Sequence, residues 1–288
     1  MKLTVLGNWG ACPQAGEATA GLLLNVEDRI FLLDCGSGVL AQSGKFCSLG
    51  DFEAVFLTHY HHDHCADIGC LQYGSKFAQI YGMRREPLPI YAHDRSPRFA
   101  DMTYGSFTFG YAVGPDTSVE RAGLRVSFAE TVHEQYNLAM RFEYGMTSLV
   151  YTGDMGPRSN IDDFCAGVDL LVCECCFLES EADETLGHMS TRDVGLLARR
   201  AGVRRLMLTH FPHGAEGMLW ENDPERTREL RGRMAEEVRG YYDGPVLLAE
   251  IGKSIAMDNG QWTMDKADIL QPVDQWTMET EKRGCSTE

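Results

Sequence analysis

Four of the nine histidines of this chain lie within seven residues, in the run THYHHDH at positions 58–64. A short apolar segment at residues 54–57 precedes the run and predicts a strand, and a helical pattern follows at residues 67–79. Imidazoles crowded into a loop leave lone pairs and N–H groups without partners unless something binds them. The run therefore indicates either a metal site at a strand end or a solvent-exposed histidine-rich loop.

Further side chains with suitable donor atoms follow strand-like runs later in the chain, and an exposed loop would not explain their placement. Imidazole nitrogen and carboxylate oxygen suit zinc, manganese or iron. A loop held by a strand end can converge several such groups on ions separated by roughly 3.5–4 Å. The sequence therefore favours a metal site. The complete set of candidate ligands is His59, His61, Asp63, His64, His133, Asp154 and His210.

Short apolar runs separated by Gly, Asp and Asn predict eleven strands. They lie at residues 2–6, 21–26, 30–34, 54–57, 90–92, 124–129, 138–144, 148–152, 170–174, 205–209 and 246–250. Helical patterns lie at residues 67–79, 191–201 and 224–241, and the second begins with a Ser-Thr cap and an early Asp193. Strands dominate the first half and alternate with helices in the second, which predicts stacked mixed sheets covered by helices.

Length and composition are compatible with one large domain that has a substantial core. The chain has 288 residues, of which 44% are hydrophobic. The formal net charge of −16 disfavours binding to long nucleic acids, because the protein repels polyanions. No segment reaches the roughly 18 apolar residues that a membrane span needs, and the amino terminus lacks a sustained apolar run. We therefore expect a cytoplasmic protein that does not bind a membrane.

Ten cysteines are scattered through the sequence without the spacing of a zinc knuckle or of paired disulfides. Reduced thiols fit this distribution better than disulfides. Cys173, Cys175 and Cys176 form a cluster within the apolar run DLLVCECCF. Small buried thiols are the favoured interpretation of this cluster, ahead of a role in metal binding.

The motif HxHxDH, matched by His59, His61, Asp63 and His64, resembles the signature of the metallo-β-lactamase fold superfamily. The similarity extends over residues 1–257 through LLDCGSG, TVHE, YTGD and LTHF, in the order that the family uses them. The resemblance implies a four-layer αββα sandwich of two mixed β-sheets flanked by helices. It leaves residues 258–288 as a C-terminal extension of unknown role, containing two copies of QWTM.

The resemblance also implies how the candidate ligands divide between two divalent ions. His59, His61 and His133 would hold one ion, Asp63, His64 and His210 the other, and Asp154 would bridge them. Asp34 of LLDCGSG would support the metal loop from behind. His62 matches no ligand position and is interpreted as a spacer. Zinc is favoured over manganese, although the same donors accept both.

Within the superfamily the chain resembles the ribonuclease Z-like branch most, through DLLVCECCF followed by GHMST. That branch uses a glutamate and a histidine to deliver a proton, which correspond here to Glu174 and His188. A histidine at position 61 also tells against the flavo-di-iron branch, which has glutamate there.

The expected chemistry is hydrolysis by a hydroxide shared between two metal ions. Asp63 would orient the attacking water as well as bind metal, and His188, oriented by Glu174, would protonate the departing alkoxide. This pair matters most for a poor leaving group, so a phosphodiester uses the whole site. We therefore predict a phosphodiesterase, with Asp63, Glu174 and His188 as its catalytic residues.

The expected substrate is a small or cyclic phosphodiester. Enzymes of the branch that process transfer RNA carry a long arm between the ligand histidine and the bridging aspartate, but only 20 residues separate His133 from Asp154 here. Three alternatives stay open: hydrolysis of a lactone, thioester or sulfate ester on the same metals, ribonuclease Z-like RNA 3′-processing, and a non-catalytic metal-binding protein.

An aromatic segment at residues 102–114, MTYGSFTFGYAVG, stands apart from the strand and helix pattern. Core packing or a dimer contact is favoured over ligand binding. A homodimer is therefore one expectation for this chain.

Overall fold

In the computed structural model, which describes residues 1–182, 187–212, 223–258 and 261–263, fifteen strands form two mixed sheets. The first sheet has the order β15-β14-β1-β2-β3-β4-β5-β6. Its strands are β1 (Lys2–Gly7), β2 (Gly21–Val26), β3 (Arg29–Leu33), β4 (Phe52–Phe56), β5 (Leu88–Ala92), β6 (Thr108–Ala112), β14 (Ser254–Asp258) and β15 (Gln261–Thr263). Strands β3 to β6 are parallel, and the remaining pairings are antiparallel.

The second sheet has the order β13-β12-β11-β10-β9-β8-β7. Its strands are β7 (Ser118–Arg121), β8 (Leu124–Thr131), β9 (Asn137–Tyr144), β10 (Thr147–Tyr151), β11 (Leu170–Glu174), β12 (Leu206–Thr209) and β13 (Val246–Leu248). Strands β10 to β13 are parallel, whereas β7, β8, β9 and β10 form an antiparallel meander.

Helices flank both sheets, as the four-layer prediction requires. They are α1 (Val39–Ser43), α2 (His62–Cys65), α3 (Ile68–Ile80), α4 (Asp162–Cys165), α5 (Thr191–Arg200) and α6 (Pro224–Arg239). Apolar residues of the first sheet alternate between two cores. On β3, Phe31 and Leu33 belong to the core shared with the second sheet, and Leu32 belongs to the core under α3. Strands covered on both faces are apolar at several consecutive positions, which explains why apolar runs in the sequence predicted them.

The predicted elements are confirmed. Each of the eleven predicted strands and three predicted helices has a counterpart within two residues at either end. The Ser-Thr cap of α5 is present, because Ser190 accepts a hydrogen bond from the backbone N–H of Asp193. Four strands went unpredicted, namely β6, β7, β14 and β15, and all four lie at or next to a sheet edge.

Core packing was the wrong expectation for much of the aromatic segment at residues 102–114. It forms edge strand β6, on which Phe109 and Tyr111 are about half exposed, and Tyr104 is exposed as well. An edge strand lacks a neighbour on one side, so its side chains are covered less. The dimer alternative stays a prediction.

The boundary predicted at residue 257 also stays a prediction. Strand β15, which includes part of the first QWTM copy, pairs with β14, and the second copy lies outside the described residues. None of the helices in the described ranges is both long enough and apolar enough to cross a lipid bilayer.

The topology brings one set of strand ends together. Strands β1, β3, β4 and β5 run in the same direction within the first sheet, and β8, β10, β11 and β12 do so within the second. The loops that leave their carboxyl ends carry all the candidate ligands. This shared edge positions the site.

Gly36 gives a test of how tightly this edge is packed. A Cβ atom at Gly36 would lie 1.9 Å from the backbone oxygen of Asp63 and 2.3 Å from Oγ1 of Thr19. We expect Gly36→Ala to lower the free energy of unfolding by about 1–3 kcal/mol or more, because backbone atoms must move. Gly232→Ala in α6, where nothing lies within 4 Å, should instead raise it by about 1 kcal/mol. Urea unfolding of both variants in chelator measures this, and equal stability of Gly36→Ala and wild type would contradict the packing argument.

Candidate metal centre

Three imidazoles from two loops form the first cluster of donors. His59 and His61 follow β4, and His133 follows β8. Nδ1 of His61 lies 3.0 Å from Nε2 of His59 and 3.1 Å from Nε2 of His133. Three ring nitrogens that point at one another across about 3 Å form an arrangement typical of tetrahedral metal sites. These are the three residues that the resemblance assigned to one ion.

The second cluster combines two imidazoles with a carboxylate. Asp63 and His64 lie in α2, and His210 follows β12. Oδ2 of Asp63 lies 3.1 Å from Nε2 of His210 and 3.7 Å from Nε2 of His64. These three residues and Asp154 place one donor atom each within 4.8 Å of one another.

Asp154, in the loop after β10, joins the two clusters. Its Oδ2 lies 3.7 Å from Nε2 of both His59 and His133, whereas its Oδ1 lies 3.2 Å from Nε2 of His64 and 3.3 Å from Nε2 of His210. Each carboxylate oxygen therefore faces a different cluster. This is the placement that a bridging ligand requires.

The donor set fits a pair of cations better than a network of hydrogen bonds. Nε2 of His64 and Oδ1 of Asp154 are buried and lie 3.2 Å apart, but neither atom makes a hydrogen bond of good geometry. Burial lowers the pKa of His59 well below its usual value, so this ring is neutral and offers a lone pair. Buried orphan atoms are rare in proteins, and a bound cation would satisfy both.

A cation bound at this site would replace a proton on His210. Burial lowers the pKa of its ring, but Asp154 and Asp63 outweigh the burial and raise the pKa above its usual value. Carboxylates that attract a proton to this position attract a divalent cation to the same position. A metal ion bound here would therefore displace the proton from Nε2 of His210.

Asp34, at the end of β3, orients the second cluster from behind. Its Oδ2 accepts a hydrogen bond from Nδ1 of His64 at 2.7 Å and another from the hydroxyl of Tyr151 at 2.8 Å. The backbone N–H of Thr58 donates to Oδ1 at 2.8 Å. A proton fixed on Nδ1 of His64 leaves Nε2 free for an ion. Asp34 is fully buried and adopts a left-handed backbone with φ of 55°.

The loop after β1 supports Asp63 and His210, although no motif in the sequence indicates this role. The backbone N–H of Ala11 donates to Oδ2 of Asp63 at 2.9 Å, and Ala11 has φ of 60°. At Gly10 a Cβ atom would lie 2.8 Å from Cε1 of His210. The contacts depend on backbone atoms, so side-chain motifs could not reveal them.

A stacked guanidinium connects this loop to the one that carries His210. Arg231 of α6 lies between the rings of Trp9 and Phe211, with its guanidinium carbon 4.4 Å from each ring centroid. Trp9 also donates to Glu17 through its indole N–H. Arg231 therefore contacts both loops, a role that no motif in the sequence indicates.

Cys176 is the member of the cysteine cluster that reaches the site. The three thiols of the run are buried, as predicted. Sγ of Cys176 lies 3.2 Å from Nδ1 of His210, whereas the carbonyl of Gly187 lies 3.0 Å from Nδ1 of His133. Both contacts hold the ring nitrogen opposite the one that faces the donor cluster. Cys176 therefore orients His210 in the way that a carbonyl orients His133.

Glu174 and His188 form a separate pair beside the clusters. Oε1 of Glu174 lies 2.9 Å from Nδ1 of His188 and accepts from the backbone N–H of Met155 at 2.7 Å. Oε2 accepts from the N–H of Met189. Glu174 is fully buried, while the side chain of His188 is 23% exposed and its ring lies 5.0 Å from that of His133. The pair borders the solvent-facing side of the site.

The remaining sequence-predicted residues are placed as follows. All seven candidate ligands lie close together at one site. His62 is exposed and lies outside the donor clusters found among the described residues. The ligand roles of the seven residues stay predictions.

A family model described as the beta-lactamase superfamily domain matches residues 29–211. The chain is 38% identical over 253 residues to the probable metallo-hydrolase YhfI of Bacillus subtilis, covering 88% of this chain and 98% of that protein. It is 25% identical over 311 residues to a ribonuclease Z of Haloferax volcanii, covering 88% and 94%.

Solved structures share the architecture. The crystal structure of YhfI from Bacillus subtilis matches with a TM-score of 0.81 at 34% identity, covering 88% of this chain and 98% of that one. A diphosphatase from the PhnP family matches with a TM-score of 0.65 at 18% identity, covering 88% and 95%, and shows the fold alone.

Replacing Asp34 tests whether the buried support layer sets metal affinity. We expect Asp34→Asn to weaken metal binding by about 10–100-fold, because an amide cannot accept from Thr58, Tyr151 and His64 together. Asp169→Asn is the matched control, since Asp169 is also buried and accepts from the backbone N–H of Ser148. It precedes β11, at the end of that strand opposite Glu174.

Metal per chain, measured after dialysis against buffered zinc, should fall for Asp34→Asn only. Asp169→Asn should lower thermal stability and keep its metal. Equal metal affinity in Asp34→Asn and wild type would show that Asp34 has no part in the site.

Proposed function

Since the chain belongs to the β-lactamase superfamily and is a metal-dependent hydrolase, we propose that it is a phosphodiesterase that cleaves a small or cyclic phosphodiester. Two divalent ions, zinc before manganese, would be held by the two clusters described above, with Asp154 between them. When bound, such ions supply an activated water and neutralise charge on phosphoryl oxygens. The rest of the chemistry falls to the side chains of this chain.

The observation that supports a phosphodiester most is the Glu174–His188 pair. Neither residue is needed to complete the two donor clusters, yet Glu174 is buried and held by two backbone N–H groups while it accepts from His188. Thioester cleavage releases a thiolate, which needs little help from an acid, whereas a lactone, like an alkyl phosphodiester, releases an alkoxide. An alkoxide leaving group of a phosphodiester does need a proton, and His188 holds one beside the clusters.

Asp63 contributes through its position at the edge of the second cluster. Its Oδ2 accepts from Ala11 and faces His210, and its side chain is 11% exposed. A carboxylate fixed in this way can accept a hydrogen bond from a nucleophilic water and keep that water aligned. We therefore assign Asp63 the orientation of the attacking water and His188 the protonation of the leaving group.

The surroundings of the site favour a small substrate. Residues 137–151 form the hairpin of β9 and β10, so the interval between His133 and Asp154 is filled by sheet. The exposed carboxylate of Glu134 lies 3.9 Å from Nε2 of His61, at the open side of the site. Together with the net charge of −16, it opposes the approach of a long polyanion. Ribonuclease Z-like processing of RNA is therefore the weaker candidate, although a ribonuclease Z is among the relatives.

A substrate panel tests the proposal directly. Purified protein with quantified metal would be assayed against cyclic nucleotides, aryl and alkyl phosphodiesters, lactones, thioesters, sulfate esters and a transfer-RNA precursor. We expect hydrolysis of small phosphodiesters that is lost in chelator and restored by zinc or manganese. Metal-dependent turnover of lactones, thioesters or sulfate esters without phosphodiester turnover would refute the phosphodiesterase, and preferred cleavage of the RNA would refute the small substrate.

A comparison of substrates with different leaving groups tests the role of His188. With an alkyl phosphodiester, His188→Ala should lower kcat by about 10²–10⁴-fold, because the alkoxide must leave unprotonated. With a p-nitrophenyl ester, whose leaving group is stable as an anion, the loss should be small. His62→Ala, which changes an exposed histidine of the same motif, is the control and should affect neither substrate. A similar loss with both substrates, or a parallel loss of bound metal, would remove His188 from the role of proton donor.

The pH profile tests the link between His188 and Glu174. Burial lowers the pKa of His188, but the Glu174 carboxylate outweighs the burial and raises the pKa to about 9. The donor form is therefore present below this pH and lost as the pH rises through it. We expect kcat/KM for the alkyl ester to fall on the alkaline side, and in Glu174→Gln to begin falling at lower pH. Profiles that superimpose for the two proteins would show that Glu174 does not control the proton.

A further inference from the structure

A third group of donor side chains lies beside the two clusters, and it includes sulfur. Sγ of Cys176 lies 3.2 Å from Nδ1 of His210, and Oε1 of Glu174 lies 2.9 Å from Nδ1 of His188. One donor atom from each of these four residues lies within 4.8 Å of the other three, and we call the four residues the thiol cluster. Zinc bonds place neighbouring tetrahedral ligands roughly 3.3–3.6 Å apart, so small side-chain movements would bring several of these donors onto one ion.

The order of the strands explains why these residues meet. Glu174 ends β11 and Cys176 follows two residues later, a spacing that places both side chains on the same face. Strand β12 is the parallel neighbour of β11 and is followed directly by His210. The backbone N–H of Cys176 donates to the carbonyl of Met189 at 3.1 Å, which holds the adjacent His188 against the cluster. Three segments of backbone therefore build the thiol cluster.

Orientation of a ligand histidine does not require a thiol. The carbonyl of Gly187 has the same role for His133 that Cys176 has for His210. A thiol differs from a carbonyl because, once deprotonated, it binds soft and borderline cations. Cys175 is buried as well, but it belongs to none of the donor groups found in the described ranges. Cys176 is therefore placed for a second role besides the orientation of a ring.

A divalent cation could replace protons in the thiol cluster without changing the buried charge. Burial and the Glu174 carboxylate raise the pKa of the Cys176 thiol well above its usual value, so this thiol is protonated. The same carboxylate outweighs burial and raises the pKa of His188 to about 9, so this ring is protonated as well. A bound divalent cation would release one proton from each group to the solvent. Two positive charges would leave and two would arrive, so no additional charge would be buried.

We propose that Glu174, Cys176 and His188 form a third metal site, which takes a thiophilic divalent cation such as zinc or cadmium and inhibits the enzyme when it is filled. The Nδ1–H of His210 would donate a hydrogen bond to the thiolate, while Nε2 of the same ring faces the second cluster. The site itself does not depend on the substrate. Its inhibitory effect rests on the proposed function. A His188 ring bound to a cation through Nδ1 would have to become an imidazolate in order to protonate a leaving group.

The donor set predicts which cations would fill the third site and in what order. A thiolate ligand favours zinc, cadmium or cobalt over manganese, which suits oxygen ligands. The first two clusters contain only nitrogen and oxygen donors, so they bind a cation without displacing a thiol proton and would fill first. The side chain of His188 is 23% exposed, which gives a cation access from the solvent. We therefore expect the third site to fill only when zinc is in excess.

Titration of the full chain with cobalt(II), after removal of metal by chelator, tests whether the site exists. Cobalt bound to sulfur absorbs in the near ultraviolet through charge transfer, whereas cobalt bound only to nitrogen and oxygen lacks this absorption. We expect two cobalt ions per chain to bind without the absorption and a third to bind with it. Cys176→Ser should lose the absorption and the third ion, whereas Cys175→Ala, the matched control for a neighbouring buried thiol, should keep both. His188→Ala, which retains every thiol, should weaken binding of the third ion at least tenfold. Circular dichroism confirms that each variant is folded.

The alkyl and p-nitrophenyl phosphodiesters test whether the third ion inhibits through His188. Excess zinc added to the zinc-loaded protein should lower kcat for the alkyl ester at least tenfold, because the proton donor is lost, and should change turnover of the p-nitrophenyl ester little. Excess manganese should inhibit neither ester. In Cys176→Ser, turnover of the alkyl ester should no longer respond to excess zinc.

Several results would overturn the proposal. One is a wild-type protein that shows no sulfur-to-cobalt absorption in excess cobalt, and another is an absorption that Cys176→Ser leaves unchanged, which would assign it to a different thiol. Equal inhibition of both esters by excess zinc would exclude inhibition through His188. Sulfur-bound cobalt in a protein that hydrolyses no phosphodiester would instead refute the proposed function and leave the third metal site in place, so the two failures are distinguishable.

Discussion

The convergence of seven nitrogen and oxygen donors at one end of the sandwich is the constraint on which the surrounding structure depends. His59, His64 and Asp154 are buried there, and a buried polar group without a partner costs roughly 1–3 kcal/mol or more. Of the five described non-glycine residues with positive φ, Ala11, Asp34 and His210 lie at this site. Each costs about 1–3 kcal/mol of backbone strain. A divalent cation bound at this position would offset both costs.

The strands and long helices could be predicted from sequence because burial produces recognisable patterns of apolar residues. Strands such as β4 and β11 are apolar at consecutive positions, since one face meets the opposite sheet and the other meets helices. This apolar pattern is weaker in the strands at the sheet edges. Strand β7 is polar and partly exposed, and β6 carries aromatic side chains that are about half exposed, so neither displays the pattern of a buried strand. Their existence depends on a neighbour in the sheet.

The donors themselves could also be predicted, whereas most of their support could not. A ligand must be a side chain of a particular type, so HxHxDH and the later His and Asp residues are visible in the sequence. The support uses groups without such a signature: the N–H of Ala11, the carbonyl of Gly187, and the hydroxyl of Tyr151 reaching across from the other sheet. Cys176 was visible as a buried thiol, but only its contact with His210 gives it a role.

The protein as a whole is negatively charged, whereas the site with bound cations would be positively charged. This difference affects the size of substrate that the site would accept. The chain has a net charge of −16, whereas two bound cations would make the site attractive to anions. Salt screens charges beyond about 8–10 Å at physiological ionic strength. A small phosphodiester at the site would lie within that distance of the cations and interact weakly with the more distant acidic surface. A long polyanion would extend over many carboxylates, so each added phosphate increases repulsion without gaining contact with the ions. Under the proposed function, the charge of the protein and the position of its donors would therefore favour compact substrates even without a pocket that excludes large ones.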